Sequence, residues 1–496
     1  MLFNSLSFLL FFPAVTLVYY LIPAKYRWIW LLAASYFFYM CWNAGYALLI
    51  AASTVVTYLS GILISRSGRN DDIARAARRK KLWVALSFVI NLAILGFFKY
   101  FSFAVDNLNA VLGALKLSLV SPAFDVVLPV GISFYTFQAL SYTVDIYRGS
   151  VKPEKNPFRY ALFVSFFPQL VAGPIERTGN LLDQLNHPRK FEYNRMVSGL
   201  LVMAWGFFQK MVVADRVAVV VNTVFNDYAQ YAGFEIAFAV LLFAVQIYCD
   251  FAGYSNIAIG AARVMGVDLM ENFQQPYFAG SVKEFWRRWH ISLSTWFRDY
   301  LYIPLGGSRK GKFRTCLNLM ITFLVSGLWH GANWTFVLWG ALHGALQIVE
   351  GLLKKPREAL ENAFHIDRTA FSYRFFNGVL TFLLVDFAWI FFRANSLRDA
   401  FGIIRNLFST FNPYVLTNGR LLELGLDRPD LIVGLLAIVV LLIGDLLQTK
   451  FKVSQRLMEQ NLPFRLTAYT LIVVLLLVFG VYGSGYEASQ FIYFQF

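Results

Sequence analysis

The chain has 496 residues, 58% hydrophobic and 18% aromatic, with 15% charged and a net charge of +15. Ordinary soluble domains carry about 25% charged residues, so this composition, with its 50 Phe, excludes a soluble enzyme, a disordered chain and a classical nucleic-acid-binding domain. The positive surplus must then be explained by where the basic residues sit.

The N-terminal MLFNSLSFLLFFPAVTLVYYLI has no basic residue ahead of its apolar stretch and no small-residue cleavage site after it. It reads as a first membrane helix rather than a cleaved signal peptide. Segments 5–22, 28–42, 43–64 and 82–104 are the first four crossings, and 126–146 is the fifth. Segment 28–42 reaches only about 22 Å at about 1.5 Å per residue, against a hydrocarbon core of about 30 Å. Either the bilayer thins there or the hairpin dips in without crossing.

The stretch 158–175 has basic residues on both flanks and contains Pro168, Gly173 and Pro174. A straight crossing would strand Arg177 and Arg195 on the wrong side, so a broken or re-entrant segment is expected; such backbone survives only where protein or water satisfies it. Segments 198–214, 231–250, 315–329, 333–351, 374–393, 431–448 and 466–483 follow. The expectation is an all-α polytopic protein with about 10–12 transmembrane helices plus re-entrant and interfacial ones.

The basic residues cluster in short loops. The segment 65–81 holds Arg66, Arg69, Arg75, Arg78, Arg79, Lys80 and Lys81 against Asp71 and Asp72. Smaller clusters are Lys25/Arg27, Arg148/Lys152/Lys155, Arg309/Lys310/Lys312/Arg314, Lys354/Lys355/Arg357 and Lys450/Lys452/Arg456. Such loops mark the cytoplasmic side, which places both termini outside. The charge is therefore a record of topology and requires no nucleic acid. Cys41, Cys249 and Cys316 are scattered through or beside apolar stretches, without metal-type spacing, and are expected to be buried thiols.

Between 264 and 314 the pattern changes. SVKEFWRRWHISLSTWFRDYLY (281–302) is too polar to span and too aromatic to float free, with Phe285, Trp289 and Trp296 at helical spacing. An interfacial amphipathic helix is expected. Of the five histidines, His330 within LVSGLWHGANWTFVLWGALHG is the informative one, because an intramembrane histidine is costly enough to imply function. Neutral imidazole can take a proton from a hydroxyl near pH 7; the alternative is a core histidine bonded to a carbonyl. His343 reads as structural, and His187 and His365 as inert loop residues.

Other chemistries fail on inspection. There is no HExxH and no paired-carboxylate metal spacing, so no metal is expected. GYSNI (253–257) lacks the final glycine of the GxSxG elbow. GGSRKGKF (306–313) ends on Phe313 where a phosphate-binding loop needs a hydroxyl, leaving a glycine turn with a basic surface.

FWRRWHISLSTWFRDYLYIPLGG (285–307) and SGLWHGANWTFVLWGALHG (326–344) resemble the signature of the membrane-bound O-acyltransferases, and within them the bacterial alginate O-acetyltransferase subgroup. LPVGISFYTFQALSYTVDIYRG (128–149), AGPIER (172–177), QIYCDFAGYSNIAIG (246–260), MENFQQPY (270–277), the N-terminal LFNSLSFLLFFPAV and the C-terminal FIYFQF extend the likeness along nearly the whole chain. Against the subgroup's pattern, Cys249, Ala252 and Asn256 are departures that leave Asp250 and Tyr254 in place.

The resemblance implies one integral-membrane acyltransferase domain over 1–496, forming a ring of helices around a thin central tunnel. N-terminal transmembrane helices would occupy 1–150, a catalytic core with both histidine motifs 151–350, and C-terminal helices 351–496. It implies His330 as the catalytic histidine and His290 as its polar partner. Arg287, Arg288, Arg309, Lys310 and Lys312 are then candidates to bind a negatively charged donor, with Asp250, Tyr254, Asn333 and Trp329 as polar support. No permanently bound cofactor is implied; acetyl-CoA is the expected acyl donor. The expected partners are the lipid bilayer, an extracytoplasmic acetyltransferase and a polysaccharide or peptidoglycan acceptor, at a bacterial inner membrane. D-alanyl transfer to teichoic acid is the sibling alternative. A polysaccharide or proton-coupled transporter is the rival from another class, but no inverted repeat of the kind it needs is visible.

Overall fold

The structure, a computed structural model, describes residues 1–67, 72–122, 127–171, 173–451 and 453–482. Arg69 and Asp71 of the basic loop, Ala172, Lys452, the Lys450 side chain and the C-terminal FIYFQF lie outside the described residues. The described residues form helices and no strand.

Eight helices among them are long and apolar enough to cross a membrane: Tyr46–Arg66, Ile73–Ala114, Tyr193–Asn226, Phe234–Val264, Trp334–Ala363, Phe371–Arg393, Arg428–Gln448 and Leu462–Phe479. The remaining expected crossings also fall on helices, but shorter or more polar ones: Leu6–Leu21, Arg27–Met40, Ile132–Arg148 and Gly311–His330. The chain is an all-α, multi-pass membrane protein. Two of the long helices pass through π-helical stretches, Gly96–Tyr100 and Phe208–Ala214, where one extra residue per turn resets which side chains share a face.

Two compact units are formed, each from two stretches of chain. The first comprises Met1–Met203 and Ile257–Met270. It contains the broken segment expected near 158–175: helix Pro157–Ser165 stops, Phe166 turns extended (φ −52°, ψ 110°), and Phe167–Leu170 begins a new short helix. Pro168 lies in that first turn, where its missing N–H costs nothing. The interruption is buried, so its backbone needs partners. Ser35 Oγ accepts the Phe167 N–H (3.1 Å), while Gln138 and Gln169 both donate to the Phe163 carbonyl (2.7 and 3.0 Å).

The second unit comprises Ala204–Asn256 and Glu271–Phe496. Its core is aromatic-rich, with Phe285, Trp289, Trp339, Trp389 and Phe392 all buried. Lys210 lies in it almost fully buried, 2.7 Å from Asp215 and 2.5 Å from Asp250. The π-helical stretch explains the first contact, because i and i+5 come into register there.

Two sequence expectations are corrected. Only Cys249 is a buried thiol; Cys41 is exposed just past the end of Arg27–Met40, and Cys316 is half-buried. The stretch 281–302 is not one interfacial helix. It is two short helices, Val282–Arg288 and Ile291–Phe297, followed by a π turn at Arg298–Tyr302. The aromatic face that suggested a lipid contact (Phe285, Trp289, Trp296) is packed inside protein.

Candidate active site

The site residues described below belong to the second unit. Its first element is a helical hairpin: Gly311–His330 runs into Trp334–Ala363 through a three-residue connection. The turn ahead of it, GGSRKGKF, is built on left-handed glycines (Gly306, Gly307, Gly311) and pinned by Asn318, whose Nδ2 donates to the Gly307 carbonyl (2.9 Å). Two glycines set how closely the helices approach. A Cβ on Gly327 would lie 2.2 Å from the Phe336 carbonyl oxygen, and one on Gly340 2.3 Å from that of Phe323. Asn333 caps the second helix, accepting the Thr335 N–H at 3.0 Å, as a short polar side chain does at an N-cap.

His330 is the last residue of its helix and is 3% exposed. The helix's negative end faces the position where a base gains positive charge, a favourable placement. Its ring stands edge-on to Trp329 and Trp339 (5.0 Å each) and to Phe392 (5.5 Å). His290 lies 6.2 Å away, centroid to centroid. Two histidines forty positions apart thus meet in one buried aromatic cluster.

His290 occupies the break between the two short helices and has a left-handed backbone (φ 44°, ψ 54°). That conformation costs a β-carbon-bearing residue on the order of 1 kcal/mol, so the surroundings must hold it. Asn272 does. The Ile291 N–H donates to its backbone carbonyl (2.9 Å), and the Ser292 N–H (3.3 Å), Ser292 Oγ (2.9 Å) and His290 Nδ1 (3.1 Å) all meet its side-chain Oδ1. Its Nδ2 donates to Ser255 Oγ (3.0 Å).

A backbone N–H can only donate, so the atom facing Ser292 must be the amide oxygen, and His290 Nδ1 must carry the proton. Burial holds the His290 imidazole well below its ordinary value, which leaves a neutral ring whose Nε2 bears the lone pair. A ring in this state accepts a hydrogen bond at Nε2 and cannot polarise a carbonyl from there.

The other sequence candidates divide sharply. Trp329 packs beside both histidines, 6.1 Å from His290. Asp250 is committed to Lys210, and the Tyr254 ring lies 5.7 Å from the same ammonium. Arg288 pairs with Glu284 at 2.5 Å. Arg287, Arg309, Lys310 and Lys312 are exposed. His343 is buried and accepts a hydrogen bond from Trp286 Nε1 (3.2 Å), a structural placement. Sequence reasoning assigned no role to Asn272, Trp339, Phe392 or Asp215. Asn272 and Trp339 lay inside quoted motifs, and Asp215 is a charge in an apolar run; Phe392 carried no signal among so many aromatics.

A family model described as "MBOAT, membrane-bound O-acyltransferase family" matches residues 154–383, which include both histidines. The chain is 42% identical over 82% of its length to the "Probable alginate O-acetylase AlgI" of Azotobacter vinelandii, covering 78% of that protein. Its namesake in Pseudomonas putida is 38% identical over the whole of both chains. The "Peptidoglycan O-acetyltransferase" of Helicobacter pylori is 33% identical over 82% of this chain and 80% of its own.

The chain belongs to the membrane-bound O-acyltransferase family. It is an O-acyltransferase embedded in a membrane, and both histidines of the aromatic cluster lie within the matched residues.

Proposed function

We propose that the protein takes an acetyl group from cytoplasmic acetyl-CoA and moves it across a bacterial inner membrane, for O-acetylation of a cell-surface polysaccharide or peptidoglycan by way of an extracytoplasmic acetyltransferase. Both termini are then outside. The observation that carries this reading is the convergence of His290 and His330 to 6.2 Å, in a chain similar to alginate O-acetylases and a peptidoglycan O-acetyltransferase over at least four-fifths of its length. Teichoic acid D-alanyltransferases match less than half of it, at 28% identity for that of Bacillus subtilis, which favours the acetyl branch.

In this mechanism His330 removes the proton of the acceptor hydroxyl as that oxygen bonds to the thioester carbonyl carbon. The carbon–sulfur bond then breaks, and the leaving thiolate takes the proton from His330. His290, with its lone pair at Nε2, accepts a hydrogen bond from an acceptor-side O–H and orients it. The aromatic rings packed around both histidines exclude water that would hydrolyse the thioester. Exposed Arg287, Arg309, Lys310 and Lys312 suit the donor's phosphates, with Arg288 available only after leaving Glu284.

The test is His330→Ala in a strain that depends on this protein for envelope acetylation, with protein level checked by immunoblot. Loss of ester-linked acetate is expected. Unchanged acetate would sink the reading.

A further inference from the structure

Asn272 sits where four requirements meet. It is 1% exposed, and its hydrogen-bond partners Ser255 (1%), His290 (0%) and Ser292 (0%) are equally sealed. Its backbone carbonyl and its side-chain oxygen bind three consecutive residues, 290 to 292, across the break between the short helices. Its amide nitrogen, turned the opposite way, donates to Ser255 on helix Phe234–Val264. Rotating the amide by half a turn would set the Ser292 N–H and a second donor against each other, so the Ser292 backbone fixes which atom faces the histidine.

From this geometry we propose that Asn272 is a positioning residue for acyl transfer: it holds His290 in the left-handed turn and in the Nδ1–H tautomer, so that the ring presents a lone pair at Nε2. The proposal rests on reading the histidine pair as the active site. The arrangement has a physical logic. An imidazole alone exchanges its proton between two nitrogens, and a fixed acceptor at one of them decides which is left to work. A carboxylate in that position would also hold Nδ1–H but would draw charge onto the ring. The amide orients it and leaves it neutral. Ser292 and Ser255 then serve as props: the former donates twice to Oδ1, and the latter occupies Nδ2.

The test uses the full-length protein, labelled with 15N-histidine and reconstituted in nanodiscs without substrate. With five histidines in the chain, the His290 signals are assigned by their loss in His290→Gln. The wild type is expected to show His290 as Nδ1–H. Asn272→Leu removes the acceptor and should move the proton to Nε2 or mix the tautomers. Asn272→Asp keeps the acceptor and should retain Nδ1–H.

In turnover of labelled acetyl-CoA, Asn272→Leu should lower kcat by about 10²-fold, the scale of a misdirected acid–base group, with KM little changed, and Asn272→Asp, which keeps Nδ1–H but draws charge onto the ring, should recover only part of it. Persistence of Nδ1–H in Asn272→Leu, or a wild-type kcat in that variant, overturns the proposal. If Asn272→Leu does not fold, loss of Nδ1–H in Asn272→Asp overturns it instead. The tautomer is read in resting protein. A tautomer that responds to Asn272 while His330→Ala keeps full acetyl transfer therefore supports the positioning role and refutes the active-site reading.

Discussion

The hairpin carrying His330 depends on two helices touching through glycine, and Gly327→Ala puts that to a quantitative test. The new methyl would lie 2.2 Å from the Phe336 carbonyl oxygen and 3.0 Å from its carbonyl carbon. Ordinary contact begins near 3.4 Å, so the helices must separate by about 1.2 Å along that line. The obstacle is backbone and cannot swing aside as a side chain would. Overpacking of this kind costs about 1–3 kcal/mol of stability. The larger consequence is for chemistry. Gly327 is one helical turn before His330, and a displacement near 1 Å of a reacting group costs about 10²-fold in rate.

The matched control is Gly351→Ala on the partner helix, where a Cβ meets nothing within 4 Å. That change should stabilise, by about 0.5–1 kcal/mol, through helix propensity alone. Acetyl transfer per folded molecule, normalised by size-exclusion fluorescence of a tagged protein, reads both. Gly327→Ala with wild-type transfer and wild-type melting temperature would refute the claim that close packing of this hairpin sets the histidine.

Two further outcomes follow from buried charge. Lys210→Met leaves Asp215 and Asp250 facing each other with their ammonium gone; loss of one buried partner costs about 3–5 kcal/mol, so the variant should melt well below wild type. Lys210→Met combined with Asp250→Asn should recover part of the loss, and equal melting of all three proteins would exclude a structural role for the pair. In the first unit, burial raises the Glu176 carboxyl from 4.5 to about 7, against the opposing hydrogen bonds from the Met270 N–H and Asn180. The folded state then keeps this proton to higher pH than the unfolded chain. Stability therefore falls as pH rises from about 4.5 through about 7, by on the order of 3 kcal/mol. Glu176→Gln should flatten that part of a melting-temperature profile between pH 5 and 8, and an unchanged slope would contradict the assignment.

The long-range plan was legible from composition and periodicity because lipid imposes a simple rule. A segment that crosses must be helical and apolar, so length and hydropathy report it directly. The same rule exposed the break at 158–175, since Pro168 and flanking charges are incompatible with a straight span. It failed for 281–302, where helical spacing of aromatics was read as a lipid-facing surface. Periodicity tells which residues share a side but not what covers that side. Here Phe285, Trp289 and Trp296 are covered by protein, and the break at His290 is held by hydrogen bonds that residues 290–292 donate to Asn272, eighteen positions before His290.

Sequence by itself determined that this is a multi-pass membrane protein, singled out His330 among its histidines, and carried the family resemblance that pointed to His290. The first two follow from the cost of polar groups in hydrocarbon, which leaves few polar residues without a reason; the third rests on the motifs themselves. Only the tertiary structure decided that the two histidines share one aromatic cluster, that Lys210 lies between two aspartates, and that Asn272 fixes the proton on His290. Those outcomes depend on contacts between residues far apart in sequence, where a hydrogen bond's direction is set by packed backbone and leaves no periodic trace in the chain.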